Sequence, residues 1–127
     1  MKSIFLATLL AAGALGLSSG ASAHHSSAMY DLENKVLIEG TVSQFQWVNP
    51  HSWLWLKVPD GNGGMDDYAL ECGSIAQLMQ IGWTREKVKV GDKVKVVGAL
   101  RKDGVKRGEV FTLITADGET LKNRVGY

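Results

Sequence analysis

One helix signal separates three β-patterned segments from two later ones, and this order constrains the fold more than any other feature. Ser74 is followed three residues later by Gln77, the spacing of a capping box that opens a helix. Gly82 is placed to end that helix, because glycine readily adopts the left-handed conformation found after a last turn. The spacing predicts a short helix between Ser74 and Gly82.

The β-patterned segments alternate apolar and polar residues in the manner of half-buried strands. They cover residues 35–47, 52–58, 65–72, 93–100 and 109–115, and the tail after residue 115 is interpreted as a hairpin that adds an edge strand. Gly40 interrupts the first segment, which suggests a bulge or a sharp bend. The β-β-β-α-β-β order predicts an all-β fold with one short helix, a five-stranded OB-like Greek-key barrel. A sandwich or an α+β roll is the competing architecture.

Composition narrows the function classes. The chain has 127 residues, a formal charge of +1, 45% hydrophobic and 21% charged residues, which is ordinary for one globular domain. No surplus of Lys and Arg is available to hold a phosphate backbone, so a nucleic-acid partner is not expected. Cys72 is the single cysteine, which excludes an internal disulfide and favours a buried, inert thiol.

The first 23 residues have the pattern of a secretory signal peptide. Lys2 precedes a stretch of mostly Ala and Leu at residues 4–17, and the stretch ends in Ala-Ser-Ala at residues 21–23. We expect cleavage between Ala23 and His24 and a periplasmic or secreted bacterial protein. Residues 24–34 then form an N-terminal arm and residues 35–127 one domain. No second apolar run follows, so no membrane association is expected after cleavage.

The three histidines suggest a metal site. His24 and His25 would open the mature chain, and an N-terminal amine beside an imidazole is a chelating pair. His51, in the loop between the first two strands, would supply a further nitrogen. Such donors suit copper best among divalent ions, and the Met29 thioether could assist Cu(I). The alternative is that His24 and His25 are a disordered start and that His51 is a turn residue.

Indoles crowd the same loop and give a second hypothesis. Trp47, Asn49, Trp53 and Trp55 would bind an organic ligand, a glycan or a periplasmic protein partner without metal. Trp53 and Trp55 are expected on the outer face, either exposed as stacking platforms or covered by the arm. A covering arm would carry His24 and His25 towards His51, and a tryptophan close to Cu(I) could add a cation–π contact.

Catalytic motifs are absent from the sequence. No nucleophile elbow, phosphate loop or His-Glu-x-x-His pattern occurs. Asp67 and Glu71 share one face of the third strand, where we expect a solvated polar fringe. Whether the protein is an enzyme is left open, with an oxidative reaction at bound copper as the third hypothesis after the two binding functions.

Several motifs together resemble a family of small bacterial exported proteins of unknown function. They are AHHS at 23–26, Tyr30-Asp31, GTV at 40–42, WVNPHSW at 47–53, GWT at 82–84 and GDKV at 91–94. The resemblance implies a secreted or periplasmic single domain and supplies no mechanism. Cys72 departs from the pattern, in which an aliphatic residue is usual, and this argues against a family-wide role for its thiol.

Overall fold

Six strands and one α-helix make up most of residues 27–123, the part of the chain that the computed structural model describes. They are β1 (Val36–Gln46), β2 (Trp53–Pro59), β3 (Met65–Glu71), α1 (Ile75–Gln80), β4 (Lys93–Leu100), β5 (Arg107–Ile114) and β6 (Thr120–Lys122). Single turns of 3-10 helix lie at Ser27–Met29 and Arg85–Lys87. Neither of these turns was among the predicted elements.

The strands close into a barrel. Their order is β3-β2-β1-β4-β5-β6, with antiparallel neighbours, and β3 also pairs in parallel with β5. This parallel pairing places Ala69 beside Arg107 and Glu71 beside Glu109. Because it joins the two ends of a five-strand array, the predicted five-stranded OB-like barrel with one short helix is confirmed. Strand β6 pairs with β5 at the edge, as predicted for the tail.

Gly40 lies where β1 leaves β4 and passes to β2. Residues up to Thr41 pair with β4, and residues from Thr41 onwards pair with β2. A Cβ atom on Gly40 would lie 2.8 Å from the carbonyl oxygen of Lys57, so only glycine fits this close strand approach. The register of β1 against β2 shifts between Val42 and Gln44. The irregularity expected from the glycine is therefore present two residues after it.

Helix α1 begins as the sequence predicts. The Ser74 side chain accepts a hydrogen bond from the Gln77 N–H, and the Gln77 side chain accepts one from the Ser74 N–H. Gly82, with φ of 91°, follows the last turn in the left-handed conformation. Leu78 is the buried residue of the helix. The capping box thus fixes a helix of six residues whose apolar side faces the barrel.

The barrel interior is filled by alternate residues of the strands together with Leu78 and Trp83. The buried apolar cluster contains Ile38, Val42, Leu54, Leu56, Leu70, Cys72, Leu78, Trp83, Val88, Val94, Val96, Val110, Leu113 and Leu121. The Trp83 indole N–H donates to the Lys122 carbonyl at 2.7 Å, which satisfies its one polar atom. Asn123 accepts from the Gly73 N–H and donates to the Val110 carbonyl, which fixes β6 to the rest of the barrel.

The described part of the arm lies along the end of β4. Tyr30 forms a bridge with Arg101, the Asp31 N–H donates to the Leu100 carbonyl at 2.8 Å, and the Lys102 N–H donates to the Met29 carbonyl at 3.0 Å. His24 and His25 lie outside the described residues, as does the predicted signal peptide. Between residues 27 and 123, no helix has the length and apolar character needed to cross a bilayer.

Candidate functional site

The loop that carries His51 is held in place by backbone and side-chain hydrogen bonds. The Asn49–Pro50 peptide bond is cis. Asn49 uses its side-chain oxygen to accept the Ile75 N–H at 3.0 Å, which ties the loop to the start of α1. Buried Ser52 exchanges backbone hydrogen bonds with Cys72 and Gly73. These contacts hold the backbone on both sides of His51 in place.

Glu71, the last residue of β3, is the centre of the site. One carboxylate oxygen, Oε1, contacts Nδ1 of His51, and the other, Oε2, accepts the Tyr30 hydroxyl at 3.1 Å. The Glu71 side chain is 15% exposed, whereas that of His51 is 49% exposed. One carboxylate therefore joins the loop between β1 and β2 to the N-terminal arm.

The contact with Glu71 determines which imidazole nitrogen of His51 is available. The carboxylate lies against Nδ1, so Nε2 is the ring nitrogen left for a further partner, on a half-exposed ring. Histidines that bind metal through one ring nitrogen commonly have a carboxylate next to the other nitrogen. The donor chemistry of His51 thus fits a metal ligand.

Tyr30 is buried, and its hydroxyl titrates at unusually high pH. Burial, followed by the negative charge of Glu71, raises the pKa of Tyr30 to about 12. Its hydroxyl is therefore protonated at neutral pH and can donate a hydrogen bond to Glu71. This donation holds the arm to the same carboxylate that orients His51.

Trp53 and Trp55 lie on the outer face of the barrel, as predicted, and both are half-buried rather than fully exposed. Trp53 is paired across the strands with Glu71, and the Arg107 guanidinium lies 5.2 Å from its ring centroid. The Trp55 indole N–H is buried and has no hydrogen-bond partner among residues 27–123. We call Tyr30, His51, Trp53, Glu71 and Arg107 the outer polar cluster.

Trp47 belongs to a different part of the molecule. It packs against the barrel core, with its ring centroid 5.7 Å from that of Phe45, and Phe45 lies 6.2 Å from Trp83. Phe45 faces Leu54 across the strands, which assigns it to the inner side of the sheet. The expected grouping of Trp47 with Trp53 around His51 is therefore not what the fold produces. We call Phe45, Trp47 and Trp83 the inner aromatic group.

Comparison with known proteins gives a family without a known activity. The model of a family of unknown function, DUF6152, matches residues 13–110, which is more than half of the chain. The chain belongs to the DUF6152 family. No curated protein and no solved structure matches it.

The matched range of DUF6152 contains the whole outer polar cluster. It includes Tyr30, His51 and Glu71, and it ends inside β5 at residue 110, before β6. The elements that position the site in this DUF6152 chain, from the arm to the start of β5, thus fall within the family match.

Glu71 is the functional candidate that sequence reasoning missed. The expectation of a solvated fringe holds for Asp67, which forms an exposed ion pair with Lys57 at 2.7 Å. It is wrong for Glu71, because the arm and the loop of His51 both reach that carboxylate. The two residues occupy the same face of one strand, so alternation alone does not distinguish them. The difference arises from the distant segments that contact Glu71, and the sequence of β3 carries no signal for it.

The predicted metal ligands of this DUF6152 chain fall partly inside and partly outside the described residues. Between residues 27 and 123, no group of three or more His, Cys, Asp or Glu side chains is arranged to hold an ion. His51 is the member of the predicted ligand set within that range. Met29 directs its sulfur to the Arg101 guanidinium at 3.1 Å. Cys72 is buried, and desolvation raises the pKa of its thiol, which favours the unreactive protonated form.

Proposed function

We propose that this DUF6152 protein is a periplasmic or secreted, non-catalytic module that binds a copper-type metal ion. The ligands are the N-terminal amine and imidazole of His24, with the imidazole of His25 or His51. The observation that carries the proposal is the double use of Glu71, whose two oxygens hold His51 and the arm residue Tyr30. The role is to buffer or deliver the ion rather than to catalyse.

Chain length supports the proximity of the proposed ligands. Tyr30 lies five residues after His25, and five residues span at most about 18 Å when fully extended. The Tyr30 hydroxyl and His51 Nδ1 are bound to one carboxylate. A chain of this length allows His25 to reach the His51 ring.

The donor types favour copper in its divalent state. Signal-peptide cleavage after Ala23 would leave the His24 amine free, with an ordinary pKa near about 8. Amine and imidazole nitrogens bind Cu(II) most strongly among the divalent first-row ions. The two groups expected to assist Cu(I) are already in contact with cations, because Met29 lies against Arg101 and Trp53 lies under Arg107. These contacts favour a nitrogen-only set for Cu(II).

The test is a Cu(II) titration of protein secreted from its own precursor, with the N-terminus determined by mass spectrometry. We expect the His24→Ala, His51→Ala double variant to lose at least about 100-fold in affinity, more than the loss typical of an outer-shell change. One extra residue before His24 displaces the chelating amine and should also weaken binding. Equally weak binding by all forms, or a mature chain that starts elsewhere, contradicts the proposal.

A metal-free binding module is the second candidate, and Arg107 favours it. Its guanidinium is stacked on Trp53 and has no acidic partner within ion-pair distance among residues 27–123. A stacked guanidinium beside half-buried indoles is a common way to hold a planar or anionic organic ligand. In this case Trp53→Ala or Trp55→Ala abolishes ligand binding, whereas a chelator changes nothing. The first candidate predicts the opposite result: a chelator removes the bound ion, whereas the tryptophan variants still bind it.

A further inference from the structure

We infer that Tyr30 and Glu71 form a latch that docks the arm beside His51 and thereby sets the affinity of the metal site. The inference rests on the proposed copper-binding function and adds its regulation. Tyr30 is a positioning residue, since its hydroxyl is committed to Glu71 rather than to an ion. Glu71 is a positioning residue for His51 in the same sense.

The arm has two kinds of attachment to the barrel. Backbone hydrogen bonds join Met29 and Asp31 to the end of β4. The Tyr30 side chain instead reaches Glu71 at the end of β3. Backbone groups alone make the β4 attachment, whereas the Tyr30 side-chain attachment ends on the residue that contacts His51. Arm docking and His51 orientation therefore share one carboxylate.

Burial shows that the arm residue is packed and not merely tethered. Tyr30 is 6% exposed, and its burial is unusual for a residue within an irregular N-terminal segment. This burial, together with the hydrogen bond to Glu71, shows that the Tyr30 side chain is seated on the barrel.

The latch has a direct consequence for metal affinity. A docked arm restricts the positions available to the segment before residue 27, so less conformational freedom is lost when His24 and His25 join His51 around an ion. If the arm is not docked, it must be ordered when the ion binds, and this ordering reduces the free energy of binding. Loss of the Tyr30 hydroxyl should therefore weaken Cu(II) binding without removing any ligand.

The experiment compares Tyr30→Phe and Glu71→Gln with two matched controls in the secreted protein. Tyr68→Phe removes the hydroxyl of another tyrosine, which lies on β3. Asp67→Asn neutralises an exposed carboxylate on the same face of β3 as Glu71. Three quantities are measured: Cu(II) affinity, the tautomer of His51 by nitrogen NMR, and hydrogen exchange of the Asp31 and Lys102 amides without metal.

We expect Tyr30→Phe to speed exchange at both amides and to weaken Cu(II) binding about tenfold, the effect of one hydrogen bond to a charged group, while the His51 tautomer is retained. Glu71→Gln should speed exchange, disturb the tautomer and weaken binding by about 10- to 100-fold. Both controls should match the parent protein in all three measurements.

The outcomes separate the latch from the proposed function. If the parent protein does not bind Cu(II), the proposed function and the coupling both fail, and amide exchange alone decides whether the arm is docked through Tyr30. If the parent binds Cu(II) but Tyr30→Phe binds equally well, the latch is overturned and the proposed function stands. If Tyr30→Phe does not speed exchange relative to Tyr68→Phe, the docking step itself is wrong.

Discussion

The inner aromatic group and the outer polar cluster both contain tryptophan, but its surroundings differ between them. Inside the barrel, Trp83 is buried against apolar neighbours, and its single N–H is satisfied by a backbone carbonyl. On the outside, Trp53 shares its surroundings with a guanidinium and a carboxylate, and His51 is half-exposed beside them. A closed apolar arrangement specifies a fold, whereas polar groups held half-exposed in fixed orientation can bind a ligand.

The largest expected effect separates the two regions by stability. Trp83→Ala should lower the free energy of unfolding by about 3–5 kcal/mol, because it leaves a large cavity in the barrel and an unsatisfied backbone carbonyl. Trp53→Ala, on the half-buried outer face, should cost about 1–2 kcal/mol. Urea unfolding of both variants measures the difference. Equal losses would contradict the assignment of the two tryptophans to different regions.

The next effect is the pH dependence contributed by Tyr30. Its pKa is about 12 in the folded protein, above the ordinary value of 10.0, so folding favours the protonated hydroxyl. This contribution to stability is present below pH 10 and is lost as the pH rises from 10 to 12. Unfolding of the parent between pH 8 and 12 should therefore show a steeper alkaline loss of stability than Tyr30→Phe. Parallel curves would mean that Tyr30 is not buried beside Glu71.

His51→Ala should have a smaller effect on stability. The ring is half-exposed, and its removal leaves Glu71 with the Tyr30 hydroxyl as a partner. We expect a loss of about 1 kcal/mol or less in the free energy of unfolding, the range typical of one partly exposed polar contact. Thermal and urea denaturation give the value. A loss as large as that of Trp83→Ala would place His51 among the fold-determining residues instead.

The smallest effect is expected at the exposed pair of Lys57 and Asp67, which serves as the reference for Glu71 on the same strand face. Asp67→Asn should change the free energy of unfolding by no more than about 0.5 kcal/mol. Glu71→Gln should exceed that change, since two side chains from other segments depend on it. The comparison fails if the two substitutions are equivalent by urea denaturation.

The barrel was predictable because its signals are local. Alternation marks the strands, and Ser74 with Gln77 marks the helix start, so each element follows from neighbouring residues. The composition of the outer polar cluster was not predictable, because it depends on which distant segments of the chain meet. Tyr30 and Glu71 are 41 residues apart, and nothing in either segment indicates the other.

The tryptophans show the same limit in another form. Trp47 and Trp53 lie close in sequence, but the loop between β1 and β2 separates them. The inward and outward alternation of side chains in β1 therefore does not continue in step into β2. Phe45 pairs with Leu54 on the inner side, so Trp47 continues inwards while Trp53 points outwards. Because Trp47 and Trp53 are close in sequence, we predicted one aromatic site. The strand register instead places the two side chains on opposite sides of the sheet.

The most direct test of the account is pulsed electron paramagnetic resonance of the secreted protein loaded with one equivalent of Cu(II). We predict nitrogen couplings from more than one imidazole in the parent protein. In His51→Ala the coupling from one imidazole should disappear, and Cu(II) should still bind, but more weakly. Identical spectra for the parent protein and His51→Ala would contradict the central claim that His51 and the amine freed by signal-peptide cleavage bind a single ion.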